Sequence, residues 1–437
     1  MLDVPAIDTR APSEGAPHPD DETRSPLGQF RSFPKKPFSV SDLTAGAWCE
    51  LQYYYTLTKL PGGRKTRTAA MKGGTKLHKQ LEEEVYTTVK IDIAKKEDAF
   101  GLKLWNIIQG LRTLRDTGMT RELEIWGVVD GNIVNGVIDG LTHENPDPDF
   151  EEEIRSSQGS QNSQPAQDQQ KITSFFGSRQ EKSPQVYLFD VKTRGSNTLP
   201  SGAAVRPTKI QLYLYHRLLA NMAAGKLDFP HVFSRYGLNL DEPFSDSFVA
   251  QIGTLHDEIF DDAVSSAPSK KSSSDYASAP STPPGGFGLD LTSAPPPDLI
   301  HYRTLRALLP LLQSELQLTF PRGADSLGSL VTVEYRRRAR PPTEADASGM
   351  NSDENEREDD AGEIIGHNVF YVDDGVLDQY LTKDMEWWRG LREPRGVVIE
   401  EAYKCRSCEF ADSCDWRRDQ EAELLRLARV RRGKRKA

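Results

Sequence analysis

Between about residues 77 and 225 the apolar positions of the chain change their period twice. From Leu77 to Lys90 and from Ala99 to Arg115 they recur at helical spacing, which predicts two helices. Three β-type runs follow: "LEIWGVV" (123–129), "IVNGVIDGL" (133–141) and "VYLFDVKTR" (186–194). Asp130-Gly131 joins the first two as a hairpin turn. Helical spacing returns in "TKIQLYLYHRLLANMAAG" (208–225), with Gly225 placed to stop it. Beyond lie a helix near 299–316, a strand "LVTVEYRRR" (330–338) and a helix around 377–391. Helix, three-stranded meander and helix, in that order, predict an α/β fold in which helices flank a mixed sheet.

Polar stretches interrupt this pattern and are expected to be disordered: a tail over 1–37 and insertions at about 145–185, 264–298 and 341–363. One domain over 38–418 remains, followed by a basic tail, 419–437. The insertions account for the charge. Residues 1–37, 143–185, 264–298 and 341–363 together hold 26 acidic and 12 basic side chains, so the rest of the chain is +4 although the whole is −10. A mildly basic folded part suits a phosphate-bearing substrate. No apolar run approaches membrane-spanning length. The N-terminus lacks a signal-peptide core and is too acidic for a typical mitochondrial presequence.

Chemistry enters with "VYLFDVKTR". Side chains alternate along a strand, so Asp190 and Lys192 share a face with Leu188. By itself that is equally an ion pair on an edge strand or half of a hydrolytic site, and the neighbours decide. Asp139 ends the preceding strand. If the two strands pair, two carboxylates meet at one end of the sheet and repel unless a cation lies between them; oxygen ligands suit Mg²⁺ or Mn²⁺. Such an ion polarises a scissile phosphate and lowers the pKa of bound water, while Lys192 orients that water or offsets developing charge. Upstream, His78 and Glu82 lie four apart on a helix, and His78 is a candidate imidazole ligand. Downstream, Gln211 and Tyr215 are four apart in the same way.

G-x-x-x-H, G-V-I-D-G, D-V-K and Q-x-x-x-Y, in this order, resemble the PD-(D/E)XK nucleases of the RecB/Cas4 type. The resemblance implies a restriction-endonuclease-like fold, Asp139 and Asp190 as metal ligands with His78 as a further one, and Lys192 as the catalytic lysine. Gln211 and Tyr215 would form the helix motif behind the site. The acid of D-V-K is Asp190 where many relatives carry Glu.

The four cysteines are Cys49 and a C-x2-C-x5-C array, Cys405, Cys408 and Cys414. Three clustered thiols and one distant one suit a [4Fe–4S] cluster better than zinc, whose sites usually bring two C-x2-C pairs. Such a cluster would tie the two ends of the domain together, its ligation energy becoming folding energy. With "WCELQYYY" and "WWRGLREPRGVVIEEAYKCRSCEFADSCDWR", the pattern resembles the exonuclease V family over about residues 38–418. That family implies a Mg²⁺-dependent exonuclease specific for single-stranded DNA, carrying a [4Fe–4S] cluster and acting in genome maintenance. Its polarity leans 5′→3′ on the same resemblance.

Other residues point to partners. "QQKITSFF" sets Ile172, Phe175 and Phe176 on one side of a helical turn beside Gln169. Q-x-x-I-x-x-F-F resembles the peptide that binds the sliding clamp PCNA, which favours the nucleus over the mitochondrion, as does the basic "RVRRGKRKA" end. Arg194, Lys209, Arg336, Arg337 and Arg338 are candidate phosphate contacts. Trp48 and Tyr53 either stack bases or pack around the cluster. No G-x-x-x-x-G-K-[ST] is present, so no ATP-driven motor is expected. The expected protein is a monomeric exonuclease; a structure-specific endonuclease on the same core and a clamp-recruited DNA-binding adaptor are the alternatives.

Overall fold

A computed structural model describes residues 2–3, 25–65, 67–85, 89–161, 184–252, 302–338 and 362–436. The clamp-type peptide 169–176, the insertion 264–298 and most of 341–363 lie outside the described residues. The two-residue strands β1 (Leu2–Asp3) and β3 (Val89–Lys90) pair with each other, apart from the main sheet. That sheet is mixed and six-stranded: β2 (Phe38–Ser39), β4 (Met119–Val129), β5 (Asn132–Thr142), β6 (Val186–Arg194), β7 (Leu327–Arg337) and β8 (Ile364–Tyr371).

The hairpin forms as the Asp-Gly turn predicts. Asp130 and Gly131 take φ of 52° and 75°, the left-handed pair that matches the twist of the flanking strands. β5 is the hub, antiparallel to β4 along its length and, on its other side, parallel to β2 and antiparallel to β6. β5 and β6 pair only from Gly140↔Phe189 to Thr142↔Tyr187. The next position would be Asp139 opposite Asp190, and there the strands part. β7 lies parallel to β6 with Asp190 level with Val333, and β8 closes that edge antiparallel to β7.

The described helices include α1 (Pro26–Phe30), α2 (Val40–Thr44), α3 (Glu50–Lys59), α4 (Ala69–Glu83), α5 (Lys96–Thr117), α6 (Pro148–Gln161), α7 (Arg206–Ala223), α8 (Phe229–Arg235), α9 (Leu305–Thr319), α10 (Asp374–Trp388) and α11 (Asp415–Lys436). In β4, Trp126 stacks on Phe100 of α5 at 5.2 Å, whereas a Cβ on Gly127 would stand 2.3 Å from Leu218 of α7. Adjacent strand residues point to opposite faces, so α5 and α7 cover the two faces of the hairpin. α9 lies on α5, where Arg112 and Arg115 both engage the buried Glu315.

Helix α4 begins at Ala69, earlier than the apolar period suggests, with the Thr68 hydroxyl accepting from Met71 N. Gly73 and Gly74 weaken the helical signal, yet they let the helix lie close to its neighbours. A Cβ on Gly74 would come within 3.3 Å of Thr193 Oγ1. Strand β8 has no counterpart in the expected elements, because it is a half-exposed edge without a buried apolar face.

Part of the expected tail, residues 25–37, is folded. Ser25 caps α1, and the buried Arg31 forks onto Asp42 at 2.6 and 2.9 Å while Tyr53 donates to the same carboxylate at 2.6 Å. Polar composition hid this contact, since one arginine matched to one buried acid leaves no periodic trace. Burial alone would raise the Asp42 carboxyl; the hydrogen bonds and charge of Arg31 reverse this and hold it at about 2. Its contribution is therefore complete above about pH 4 and is lost as the pH falls toward 2. Arg31→Ala is expected to destabilise the domain by about 3–5 kcal/mol, because it strands a buried charge. Urea unfolding at pH 7 and pH 3 measures this, with the difference between variant and parent shrinking at the lower pH. The expected tail 419–437 continues a helix, α11, through Lys436, and α6 occupies the start of the 145–185 insertion.

Candidate active site

The parting of β5 from β6 makes the site. Asp139 Oδ2 accepts a 2.8 Å hydrogen bond from Val191 N across the opening, which fixes the carboxylate beside β6. Gly140 permits this approach: the Phe189 ring lies where a Cβ would sit, 2.0 Å away. His78, on α4, reaches over the same opening. Its Nε2 lies 3.1 Å from the Val191 carbonyl, which can only accept, so Nε2 carries a proton and donates. Nδ1 then turns toward two carboxylates, Glu122 Oε1 at 3.5 Å and Asp139 Oδ2 at 3.8 Å. A nitrogen lone pair facing two carboxylates is unfavourable unless a proton or a cation lies among them.

Glu122 is the residue that sequence reasoning missed. It precedes the strand expected over 123–129, and no motif in "RELEIW" marks it. Its backbone has φ 52°, and the β4–β5 ladder passes from Arg121↔Gly140 to Leu123↔Ile138 without pairing Glu122 to Asp139. For a residue with a Cβ this left-handed conformation costs roughly 1–2 kcal/mol. It coincides with the placing of the Glu122 carboxylate in the site. Ligand atoms of His78, Glu122 and Asp139 all lie within 4.8 Å of one another. One imidazole and carboxylate oxygens form a donor set suited to Mg²⁺ or Mn²⁺.

Asp190 and Lys192 stand alongside. Lys192 Nζ donates to Asp190 Oδ1 at 2.7 Å, and Asp190 Oδ2 is buried without a hydrogen-bond partner, but among the described residues Asp190 is not part of the group in which the ligand atoms of His78, Glu122 and Asp139 meet. Asp190 is only 1 % exposed, and burial followed by the charge of Asp139 pushes its carboxyl up, Lys192 opposing. Burial would lower Lys192, but Asp190 and Asp139 hold it in the charged form. The Lys192 side chain as a whole is 37 % exposed, so the pair lies at the edge of the core rather than deep within it. On α7, Gln211 Nε2 donates to Tyr215 Oη at 3.2 Å. Burial holds the Tyr215 phenol neutral, and the charges of Asp190 and Asp139 reinforce this. A Cβ on Gly136 would stand 2.6 Å from the Tyr215 ring, so that glycine admits the ring to the sheet.

Two predictions arise here. Glu122→Gln should weaken Mn²⁺ binding by about 10–100-fold with little change in stability, measured by calorimetric titration. Hydrogen bonding to Glu122 raises the His78 pKa, with burial opposing and Asp139 assisting. A metal and a proton compete for Nδ1, so metal affinity should climb with pH through a midpoint above the ordinary imidazole value near 6.5. In His78→Gln that segment of the pH profile should flatten.

The expected phosphate contacts divide. Arg194 lies over the Tyr335 ring at 5.8 Å, and Lys209 over Phe370 at 5.5 Å. Arg336 faces inward to Glu334 at 2.5 Å and the Gly362 carbonyl at 3.0 Å, while Arg337 pairs with Glu363 at 3.4 Å. Arg338 packs its side chain against Gly73 and Gly195.

The four sulfurs meet at the far end of the chain's path. Cys49, Cys405, Cys408 and Cys414 line one cavity with Trp48, Phe410 and Trp416. Gln52 donates from its backbone to Cys49 Sγ and from its amide to Cys408 Sγ, each at 3.4 Å. Burial pushes the Cys49 thiol up to about 11, and the other three sulfurs add to it. Deprotonated together, four sulfurs so placed would repel one another unless cations lay among them. Around them Arg392 grips Glu50 at 2.5 and 2.6 Å, and Tyr55 donates to Asp415 at 3.0 Å. Trp48 therefore borders the sulfurs, whereas Tyr53 is buried in the core beside Trp387 and Trp388.

Exonuclease V of Danio rerio is 24 % identical over 396 residues, covering 90 % of this chain and 73 % of the relative. The family described as "Exonuclease V - a 5' deoxyribonuclease" matches residues 25–417, from the folded start of α1 through all four cysteines to the first turn of α11, and the chain belongs to that family of nucleases.

Proposed function

We propose that this protein digests single-stranded DNA from an end, in the 5′→3′ direction, by metal-assisted attack of water on the phosphodiester, with a restriction-endonuclease-like core clasped by a [4Fe–4S] cluster. The observation that carries the reading is the opening between β5 and β6. It gathers His78, Glu122 and Asp139 beside an Asp190–Lys192 pair with one unpartnered carboxylate oxygen. His78, Asp139 and Asp190, joined by Glu122, would hold Mg²⁺, which supplies Lewis-acid activation of the phosphate and of water. Lys192 carries a fixed positive charge to meet charge developing on the phosphate oxygens. Val191 N and the Val191 carbonyl hold Asp139 and the His78 ring in place. The Gln211–Tyr215 pair keeps a neutral hydroxyl behind the carboxylates.

Cys49, Cys405, Cys408 and Cys414 would ligate the cluster, whose part is to join α3 to the C-terminal segment. Residues 169–176 would tether the enzyme to the sliding clamp PCNA, placing it in nuclear genome maintenance. Loss of clamp pull-down on changing Phe175 and Phe176 to alanine tests that tether.

End-labelled single-stranded, duplex and circular single-stranded substrates in Mg²⁺ test the activity. Disappearance of linear single strands alone is the expected result, with products released from the 5′ label first. Equal digestion of duplex, or cutting of circles, would overturn it.

A further inference from the structure

A groove of about 640 Å³ opens between the loop that follows β6, the start of α7, β8 and α10. Its lining includes Arg206, Lys209 and Lys383, contains no carboxylate, and has Phe370 and Tyr380 as its aromatic surfaces. Arg206 is paired with Glu401. Among the described residues neither Lys209 nor Lys383 is in an ion pair, and Lys209 Nζ stands 5.5 Å from the centre of the Phe370 ring. The size suits a small organic ligand, and cations beside a half-buried aromatic ring that lines the groove suit a nucleobase attached to phosphate.

The place of the groove in the sheet says more. Asp190 is level with Val333, and Val333 with Asn368, so the three side chains share a face. Leu188, Val331 and Phe370 form the neighbouring row on that same face. The groove side chains Asn368 and Phe370 thus stand two strands from Asp190 and Leu188. At about 4.8 Å per strand that is about 10 Å, a span of roughly one or two nucleotides of unstacked strand. Helix α7 serves both places: Gln211 and Tyr215 flank the carboxylates, while Lys209 and Tyr213 border β8. Tyr213 Oη is anchored on the Tyr371 carbonyl.

We propose that this groove is the subsite for the nucleotide one or two positions from the scissile phosphate, with its base on Phe370 and its phosphate between Lys209 and Lys383. This rests on the nuclease reading above and assigns the substrate's path within it. Stacking on Phe370 requires an unpaired base, so the subsite itself would discriminate against duplex.

The test uses the full chain and oligothymidylate carrying a single 2-aminopurine at successive positions from the end, in EDTA so that the strand binds uncut. Fluorescence quenching is expected at one or two adjacent positions only. Phe370→Leu should remove it. Lys209→Gln with Lys383→Gln should weaken binding at least tenfold, lower the salt slope by about one, and raise KM more than it lowers kcat in Mg²⁺. If the parent protein digests single strands but these variants bind them as it does, the groove assignment is overturned and the nuclease reading stands. If the parent neither binds nor digests single strands, the nuclease reading fails and the groove assignment with it.

Discussion

Lys192→Ala is expected to lower the single-turnover rate on single-stranded DNA by about 10²–10³-fold or more while leaving the strand bound. The size follows from where the charge sits. Lys192 Nζ is fixed at 2.7 Å on Asp190 and kept charged by two carboxylates, so no reorganisation is needed when charge develops on the substrate. Removing one such prearranged donor costs about 3–4 kcal/mol of transition-state stabilisation. The fold should survive, because without Lys192 burial and the charge of Asp139 would favour protonation of Asp190 over an unpaired buried charge. Lys192→Arg should not restore activity, since a planar fork cannot replace a compact ammonium between strand and carboxylate. Rapid quench at saturating Mg²⁺, beside circular dichroism and a binding isotherm, separates the outcomes. A variant within a factor of three of the parent would remove Lys192 from the chemistry.

Cys405→Ser is expected to have the largest effect on stability. Cys405 is buried among the sulfurs, and the other contacts that join its segment to α3 include Arg392 and Arg395 N on Glu50, Tyr55 on Asp415 and Phe410, and the Leu51–Arg395 backbone bond. Ligation of a structural metal centre is worth about 10 kcal/mol or more as folding energy. Losing even about 5 kcal/mol lowers the melting point of a domain this large by roughly 5–10 °C. Iron and acid-labile sulfide should vanish from the purified protein, and a protease should cut between Arg389 and Cys414. Full iron content with an unchanged melting point would exclude Cys405 as a ligand.

Much of this arrangement is legible from residue order, and what is not has a physical reason. Asp139, Asp190 and Lys192 are recognisable because strand alternation and a hairpin turn place them without reference to distant residues. The sulfurs announce themselves by spacing. Glu122 does not, since its role depends on one left-handed backbone angle in an otherwise regular strand. The inward turn of Arg336 depends on Glu334, its neighbour at i−2 on the same face, which a run of arginines conceals. Arg31 is similar: a polar segment reads as a tail until its single buried partner, Asp42, is known. Strand β8 and the groove beside it escape for another reason. Both are assembled from elements separated in sequence, and neither has a continuous apolar face of its own.

The meeting of Cys49 with Cys405, Cys408 and Cys414 also has a consequence for how the chain is made. Synthesis runs from the N-terminus, so every side chain placed in the hydrolytic site, from His78 to Tyr215, leaves the ribosome well before the last three sulfurs do. During that interval the edge of β6 awaits β7, whose first residue is Leu327, and α3 waits exposed for its C-terminal partners. The nascent protein thus carries its hydrolytic residues long before it can be clasped. If the four sulfurs hold the proposed iron–sulfur cluster, iron supply at the end of translation, rather than synthesis of the site, would set how much of it becomes durable enzyme.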